Sequence, residues 1–403
     1  MKKWTQVFLS LMISAGLLAT AAAPAMAAPA HPEVKVNEHN VEYTANAPVI
    51  EKGTTYVPLR GTLKALDAQL TGVKDDTIQV VVDGKTITLK SDLKVINGVT
   101  YAPIRVVGDA AGYQVLWDQK TRTVVLLSKT ATETGARGFL WQVESNGNTV
   151  YLVGSMHIAD DSFYPLRSEF EEAFAKADYL GVEIDLSKAD EEESGNLMME
   201  FGMYKDGTTL KDHIASETYA KLGEVLKQNG LEPNALDLFK PWVAEIMISN
   251  LQSAMAGYEA DAGIDIYFIQ KAIERNIPVV ELESYESQLA MMSGFSAELQ
   301  EKNLNTVLDN FDILHEDVND MAEMWKTGDD KLLLELTTSM EEDEEYNKAM
   351  LVDRNIGMAE KIDGYLKNGK NEEYFIVVGA AHYLGDYGII KLLEDKGYTV
   401  VRK

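Results

Sequence analysis

The 403-residue sequence contains no cysteine, which excludes disulfide bonds, thiolate catalysis and a lipid anchor on an N-terminal cysteine. Basic residues are scarce: 37 Lys and Arg stand against 64 Asp and Glu, which gives a formal net charge of −27 at pH 7. Because this charge repels phosphate backbones, we expect no nucleic-acid partner. Beyond the N-terminal segment, no apolar run reaches the roughly 20 residues of a membrane-spanning helix, so no span is expected in the processed protein.

The N-terminal segment has the pattern of an export signal. Lys2 and Lys3 precede an apolar stretch, and Ala25-Met26-Ala27 supplies a small-x-small cleavage pattern. We therefore predict a signal peptide over residues 1–27 and a protein that is secreted or associated with the cell surface.

The next hundred residues contain an internal duplication. The segment 54–60, TTYVPLR, returns as VTYAPIR at 99–105. Alternating strand patterns with Asp-Gly and Asn-Gly turns surround the copies, and a short helical pattern follows each one. We predict a small α+β duplicated module over residues 33–129, followed by a polar linker over 130–137.

This module resembles the copper amine oxidase N-terminal domain. The sequence offers no cluster of histidines or carboxylates there that would hold copper. The resemblance implies an accessory domain without chemistry of its own, which suggests contact with the cell wall or the cell surface.

The remaining chain, 138–403, begins with an alternation of strand and helix patterns. The apolar run 149–153 leads into Gly154-Ser155-Met156-His157, a helical pattern follows, and the next strand pattern, 179–184, contains Glu183. A strand-helix-strand crossover makes the two strands parallel, so His157 and Glu183 are expected at the same carboxyl edge of one sheet. Ligands bind at that edge in open α/β sheets.

Two later segments repeat this arrangement. The run 374–378 leads into Gly379-Ala380-Ala381-His382, and the run 277–283 ends at Glu283 after a helical pattern. We therefore predict an α/β domain with a central, mostly parallel sheet, and an acidic helical insertion between 187 and 346. We also expect the glycine three residues before each histidine to form a tight turn near a bound ion.

Imidazole and carboxylate groups without sulfur are typical ligands of Mn²⁺, Co²⁺, Zn²⁺ or Fe²⁺. We predict a divalent metal site formed by His157, Glu183 and His382, with Mn²⁺ or Co²⁺ favoured. Each residue alone is more often structural, and Glu183 is either a ligand or the general base, with Glu283 available for either role.

The pattern of motifs resembles the TraB/GumN family, which includes the Tiki proteases. The resemblance runs from about residue 138 to the C-terminus, and it rests on the segments 154–157, 164–166, 182–185, 263–265, 282–284 and 379–382. It implies metal-dependent peptide cleavage through His157, His382 and Glu183, and a fold shared with erythromycin esterase and the haem-binding ChaN proteins. Arg354, in Asp353-Arg354-Asn355, matches a further family position. It is expected either to hold a substrate oxygen or to form an ion pair with Glu183 or Glu283.

The insertion is rich in methionine. A flexible surface of this type can line a groove for varied peptides, but packing in a helical core explains the same residues and is the preferred interpretation. The methionines concerned are Met198, Met199, Met203, Met247, Met255, Met291 and Met292.

The function predicted from the sequence is a secreted metallopeptidase that acts on a peptide or protein substrate. Glu183, Glu283 and Arg354 are its candidate catalytic residues. Two alternatives remain open at this point: a metal-dependent esterase of the erythromycin-esterase type, and a non-enzymatic surface protein that binds a peptide or haem.

Overall fold

A computed structural model describes residues 31–36, 39–43, 46–66, 68–74, 77–82, 84–118, 122–128, 135–188, 190–311 and 314–403. The predicted signal peptide, 1–27, and residues 130–134 of the predicted linker lie outside these ranges. None of the helices in the described ranges has the length and hydropathy needed to cross a membrane.

The described residues of the N-terminal module form three small sheets and two short helices. The duplicated segments form β4 and β9, which pair antiparallel with Val57 opposite Ala102, and each runs directly into a helix, α1 or α2. Val57, Ala102 and the first residue of each helix are buried in one core, so the sequence repeat is also a structural repeat. The elements are β1 Glu33–Val36, β2 His39–Asn40, β3 Val49–Glu51, β4 Thr54–Pro58, α1 Leu59–Ala65, β5 Gln69–Lys74, β6 Thr77–Val82, β7 Lys85–Lys90, β8 Lys94–Ile96, β9 Val99–Pro103, α2 Ile104–Ala111, β10 Tyr113–Asp118 and β11 Thr123–Ser128.

The C-terminal domain is α/β, with one six-stranded sheet in the order β15-β14-β16-β13-β12-β17. Strands β13 to β16 are parallel to one another, whereas β12 is antiparallel to both of its neighbours. The strands are β12 Phe139–Ser145, β13 Asn148–Ser155, β14 Tyr179–Val182, β15 Val279–Glu281, β16 Glu373–Gly379 and β17 Val400–Arg402.

Strand β12 was not predicted. It joins β13 through Asn146 and Gly147, whose φ angles of 52° and 84° are those of a tight hairpin turn. Asn-Gly is the strongest short-range hairpin signal in a sequence, so this strand was predictable. The sheet is therefore mostly parallel, as expected, but it has an antiparallel edge.

Helices cover the sheet and form the insertion between β14 and β16. Their apolar faces and the sheet share one continuous core, in which Phe139, Phe268 and Phe375 are fully buried. The helices are α3 Ser168–Lys176, α4 Glu191–Gly202, α5 Ser216–Gln228, α6 Pro241–Met255, α7 Ile264–Arg275, α8 Tyr285–Ser293, α9 Ala297–Asp309, α10 Leu314–Thr327, α11 Asp330–Ser339, α12 Glu344–Asn347, α13 Asp353–Lys367 and α14 Ile389–Asp395.

Candidate active site

Four predicted residues lie where parallel strands end. His157 follows β13, Glu183 follows β14, Glu283 follows β15, and His382 closes the short helical turn after β16. Because β16 pairs with both β13 and β14, the two histidines and Glu183 converge at neighbouring strand ends. The Nε2 atoms of His157 and His382 lie 3.9 and 3.8 Å from the same atom, Glu183 Oε1.

His157 is held by an acidic residue. Its Nδ1 lies 2.9 Å from Oδ1 of Asp265 on α7, and the Ser155 hydroxyl donates to the same oxygen. Burial would lower the pKa of His157, but the carboxylates of Asp265 and Glu183 outweigh it and raise this pKa to about 9. The Nε2 atom is buried and has no hydrogen-bond partner among the described residues.

His382 is held by a neutral residue and is fully buried. Its Nδ1 lies 2.6 Å from Oδ1 of Asn355, whose amide nitrogen donates to the Tyr387 carbonyl at 3.0 Å. That second bond assigns Oδ1 as the acceptor, so Nδ1 of His382 is the protonated nitrogen. Burial and the nearby Arg354 lower the pKa of His382 to about 3. The described residues offer its buried Nε2 no partner either.

Glu183 is a buried carboxylate with three donors. Arg354 Nη2 and the Gly379 backbone N–H each donate at 2.6 Å, and Gln288 Nε2 donates at 3.2 Å. Burial alone would raise the pKa of Glu183, but Arg354 and the two histidines lower it to about 2. Glu183 is therefore ionised at neutral pH.

Arg354, on α13, bridges two carboxylates. Its Nη2 lies 2.6 Å from Glu183 Oε2 and 2.5 Å from Glu283 Oε2, and its Nε lies 2.9 Å from both oxygens of Glu283. Of the two roles expected for Arg354, the structure shows the ion pair, and with both glutamates. The two carboxylates raise its pKa despite its burial.

His157 and His382 are arranged as metal ligands, but together with Glu183, the third predicted ligand, they do not form a complete metal site. Their buried, unpartnered Nε2 atoms are suitable donors, and the contacts at Nδ1 fix both rings, as the outer contacts of metal-bound histidines do. As arranged, the described part of the chain contains no group of three or more His, Cys, Asp or Glu side chains that could hold a metal ion. Glu183 Oε1 accepts one hydrogen bond, from the Gly379 N–H, whereas Oε2 accepts from Arg354 and Gln288, so Oε1 is the oxygen with the greater remaining capacity for a ligand.

Two glycines near His157, Gly154 and Gly263, are needed for close packing. Gly154 is a residue of β13, and a Cβ there would lie 2.9 Å from Phe139 Cβ and 3.2 Å from Ala380 Cα. Gly379 has φ −49°, which any residue adopts. Gly154 therefore forms no turn, contrary to the prediction, whereas Gly379 directly precedes the short helical turn Ala380–His382. A closer approach occurs at Gly263, where a Cβ would lie 2.4 Å from the His157 carbonyl oxygen.

Sequence reasoning did not assign roles to Asp265, Asn355 or Gln288. Asp265 lies in the first turn of α7, where an acidic residue is usually explained by the helix dipole. Gln288 is 2% exposed on α8 and donates to both Glu183 and Glu283. The sequence offered one signal that Asp265 and Asn355 belong to the site: both lie inside segments that resemble motifs of the TraB/GumN family.

The TraB/PrgY/gumN profile matches residues 139–402, which include every residue of this site. The chain belongs to the TraB/PrgY/gumN family. The copper amine oxidase N-terminal domain profile matches residues 71–126, within the predicted module. Both resemblances inferred from the sequence are thereby confirmed.

Named relatives of this TraB/PrgY/gumN protein are distant. "Uncharacterized protein YbaP" of Escherichia coli is 24% identical over 60% of this chain and 87% of its own length. "Metalloprotease TIKI homolog" of Nematostella vectensis is 20% identical over 65% and 66% of the two chains. "Metalloprotease TIKI2" of Xenopus tropicalis is 22% identical over 71% and 64%. No solved structure matches the chain significantly.

A small cavity lies beside His157 in the TraB/PrgY/gumN domain, and seven of its eight lining residues are buried. The ends of β13 and β16 form one wall, and α10 forms the other. Its lining residues are Ser155, Met156, His157, Met321, Met324, Trp325, Gly379 and Ala380.

Proposed function

We propose that the C-terminal domain is a metal-dependent peptidase that hydrolyses a peptide bond of a peptide or protein substrate. One observation carries the proposal: two buried, unpartnered imidazole Nε2 atoms face the same oxygen of an ionised glutamate at the carboxyl edge of a parallel sheet. Two relatives that are named metalloproteases support it.

In this proposal His157 and His382 hold a divalent ion through Nε2, while Asp265 and Asn355 orient the rings. Glu183 completes the ligand set through Oε1, the oxygen that faces both histidines. Nitrogen and oxygen donors suit Mn²⁺ or Co²⁺, with Zn²⁺ or Fe²⁺ next. When bound, such an ion supplies Lewis-acid activation of a carbonyl group and of water.

Glu183 is a poor candidate for the general base because its pKa, lowered to about 2, makes it a weak proton acceptor. We assign the base to Glu283, the second carboxylate at this edge, whose side chain is 12% exposed. Arg354 positions both carboxylates through Nε and Nη2. Because these two atoms already donate to Glu183 and Glu283, Arg354 does not bind a substrate carboxylate through the same pair of nitrogens.

The setting of this activity is also a proposal. Export by the N-terminal signal would place the enzyme outside the cell, and the N-terminal module would contact the cell wall or surface. The likeness to the erythromycin esterase and ChaN folds stays a prediction.

The test is divalent metal per chain, measured by elemental analysis, with peptide cleavage measured on the same samples. His213→Ala is the matched control, because His213 is exposed and stacks on Tyr204 with ring centroids 4.0 Å apart. We expect near-stoichiometric metal and cleavage in the wild type and the control, and loss of both in His157→Ala/His382→Ala. If the wild type takes up no Mn²⁺, Co²⁺ or Zn²⁺ and cleaves no peptide, the peptidase proposal is rejected. The non-enzymatic binding of a peptide or haem then becomes the preferred function.

A further inference from the structure

Gln288 is a neutral donor shared by the two glutamates at the sheet edge. Its Nε2 donates to Glu183 Oε2 at 3.2 Å and to Glu283 Oε2 at 3.1 Å, and the residue is 2% exposed. Because the ionised carboxylate of Glu183 only accepts hydrogen bonds, these contacts place the amide nitrogen, and not the amide oxygen, between the glutamates. One buried atom of α8 therefore links the ends of β14 and β15.

The start of α8 fixes the reach of this side chain. Ser284 is the N-cap, and its hydroxyl accepts from the Ser287 N–H while the Ser287 hydroxyl accepts from the Ser284 N–H, both at 3.1 Å. In a helix the Cα–Cβ bonds tilt towards the N-terminus, so Gln288 extends back towards Glu283, the residue before the cap. The capping box thus makes the contact with Glu283 local, and the pairing of β14 with β15 adds Glu183.

Gln288 and Arg354 together select the oxygens that they occupy. Arg354 Nη2 donates to the same two Oε2 atoms as Gln288 does. Within the described residues, Glu183 Oε1 accepts from the Gly379 N–H alone, and Glu283 Oε1 accepts from Arg354 Nε alone. Each glutamate therefore keeps Oε1 as the oxygen with the greater remaining capacity, and Oε1 of Glu183 is the atom that faces both histidines.

The neutrality of Gln288 matters as much as its hydrogen bonds. Glu183, Glu283 and Arg354 together carry one net negative charge, which favours binding of a divalent cation. A second cation in place of Gln288 would cancel that charge, and a third carboxylate would repel the first two. An amide supplies a donor to each buried carboxylate and leaves the charge of the site unchanged.

We propose that Gln288 is a positioning residue of the active site, which holds Oε2 of both glutamates so that Glu183 directs Oε1 to the histidines and Glu283 stays beside it for proton transfer. This inference rests on the proposed peptidase function. It implies that loss of the amide slows the chemical step and leaves substrate binding unchanged, because Gln288 acts through the two carboxylates and does not bind the substrate.

The activity test is Gln288→Met, which removes the amide at nearly constant length. Gln300→Met is the matched control: Gln300 is also buried, its Nε2 donates to the Phe295 carbonyl at 2.8 Å, and its Oε1, like that of Gln288, has no partner among the described residues. Both are compared with the full wild-type chain, loaded with Mn²⁺, on the peptide that it cleaves best in a fluorogenic library. We expect Gln288→Met to lower kcat about 10–100-fold with KM within about twofold, and Gln300→Met to change neither.

A metal-free measurement separates this inference from the peptidase proposal. The ¹H–¹⁵N signal of Arg354 Nε, assigned with Arg354→Lys, reports the position of Glu283, because Nε donates to both of its oxygens at 2.9 Å. We expect Gln288→Met to shift this signal and Gln300→Met to leave it in place. Gln288→Asn serves if Gln288→Met does not fold, since its amide is one methylene too short to keep both contacts.

The outcomes are distinct. Equal kcat in the two methionine variants, or a loss that lies in KM alone, overturns the positioning role and leaves the peptidase standing. The same conclusion follows if kcat falls while the Arg354 signal stays in place, since Gln288 would then not act through Glu283. A signal that shifts in Gln288→Met alone, without cleavage by any metal-loaded sample, retains the hold of Gln288 on the carboxylates and overturns the peptidase. Neither cleavage nor a signal shift would overturn both.

Discussion

The two Gly-x-x-His segments are alike in sequence and opposite in electrostatics. Each follows a parallel strand, and each histidine faces Glu183 Oε1 through Nε2, at 3.9 Å for His157 and 3.8 Å for His382. Yet the pKa of His157 is raised to about 9, whereas that of His382 is lowered to about 3. In the metal-free protein at neutral pH, one ring is a cation and the other is neutral.

Burial lowers the pKa of both imidazoles, and the difference comes from the charged groups that the helices place near each ring. Helix α7 places the Asp265 carboxylate against His157, and α13 places the neutral Asn355 amide against His382 and Arg354 nearby. The strands therefore determine where the imidazoles lie, and the helices determine their charge. A local motif can predict a position without predicting a protonation state.

Among the substitutions considered, replacement of Arg354 should have the largest effect on stability and on the pKa difference between His157 and His382. Arg354→Ala leaves the buried carboxylates of Glu183 and Glu283 unpaired, so we expect a loss of about 3–5 kcal/mol in the free energy of unfolding. It also removes the cation that lowers the pKa of His382, so this pKa should rise towards that of His157. Urea denaturation measures the first effect, and NMR titration of the imidazoles measures the second.

Lys391→Ala is the control for Arg354→Ala, because Lys391 forms an exposed ion pair with Asp395 one helical turn away. Such pairs contribute only about 0.3–0.5 kcal/mol. If Arg354→Ala costs no more than Lys391→Ala, Arg354 does not hold the two carboxylates in solution.

The sheet edge was predictable because strand direction follows from chain connectivity. The crossovers make β13, β14, β15 and β16 parallel, so His157, Glu183, Glu283 and His382 reach one edge, as the sequence predicts. Hydrophobic runs identified these strands since buried parallel strands are almost continuously apolar.

The contacts at Nδ1 were not predictable in the same way. Asp265 lies 108 residues from His157, and Asn355 lies 27 residues from His382. Which helical side chain meets which histidine depends on how α7 and α13 pack over the sheet, and hydrophobic periodicity does not resolve that packing. The insertion methionines, for which packing in a helical core was the preferred interpretation, are divided: Met292 is buried, whereas Met199, Met247 and Met255 are exposed.

Substitution of the two residues that contact Nδ1, Asp265 and Asn355, tests how far each one sets the pKa of its histidine. Asp265→Asn removes the carboxylate that raises the pKa of His157, so this pKa should fall from about 9, and metal affinity should weaken about 10–100-fold. Asn355→Asp should raise the pKa of His382 from about 3. NMR titration and isothermal calorimetry with Mn²⁺ measure these changes. Unchanged pKa values in both variants would show that burial and Glu183 control the imidazoles instead.

The two opposite pKa shifts also predict a pH dependence of the stability of the metal-free protein, with a small change at each step of pH. His157 has a folded pKa of about 9, above its unfolded value of roughly 6.5, so its contribution is complete below pH 6.5 and is lost as pH rises towards 9. His382 has a folded pKa of about 3, so stability falls as pH decreases below 6.5, because only the unfolded chain takes up the proton. Each slope amounts to at most about 1.4 kcal/mol per pH unit.

Single substitutions assign the two slopes. His157→Gln should flatten the free energy of unfolding between pH 7 and 9, and His382→Gln should flatten it between pH 6.5 and 5, above the range in which Glu183 takes up a proton. Urea denaturation across this range measures both. If His382→Gln flattened the alkaline slope instead, His382 would be the cation at neutral pH and His157 the neutral ring. The assignment of Asp265 and Asn355 as the residues that distinguish the two histidines would then be wrong.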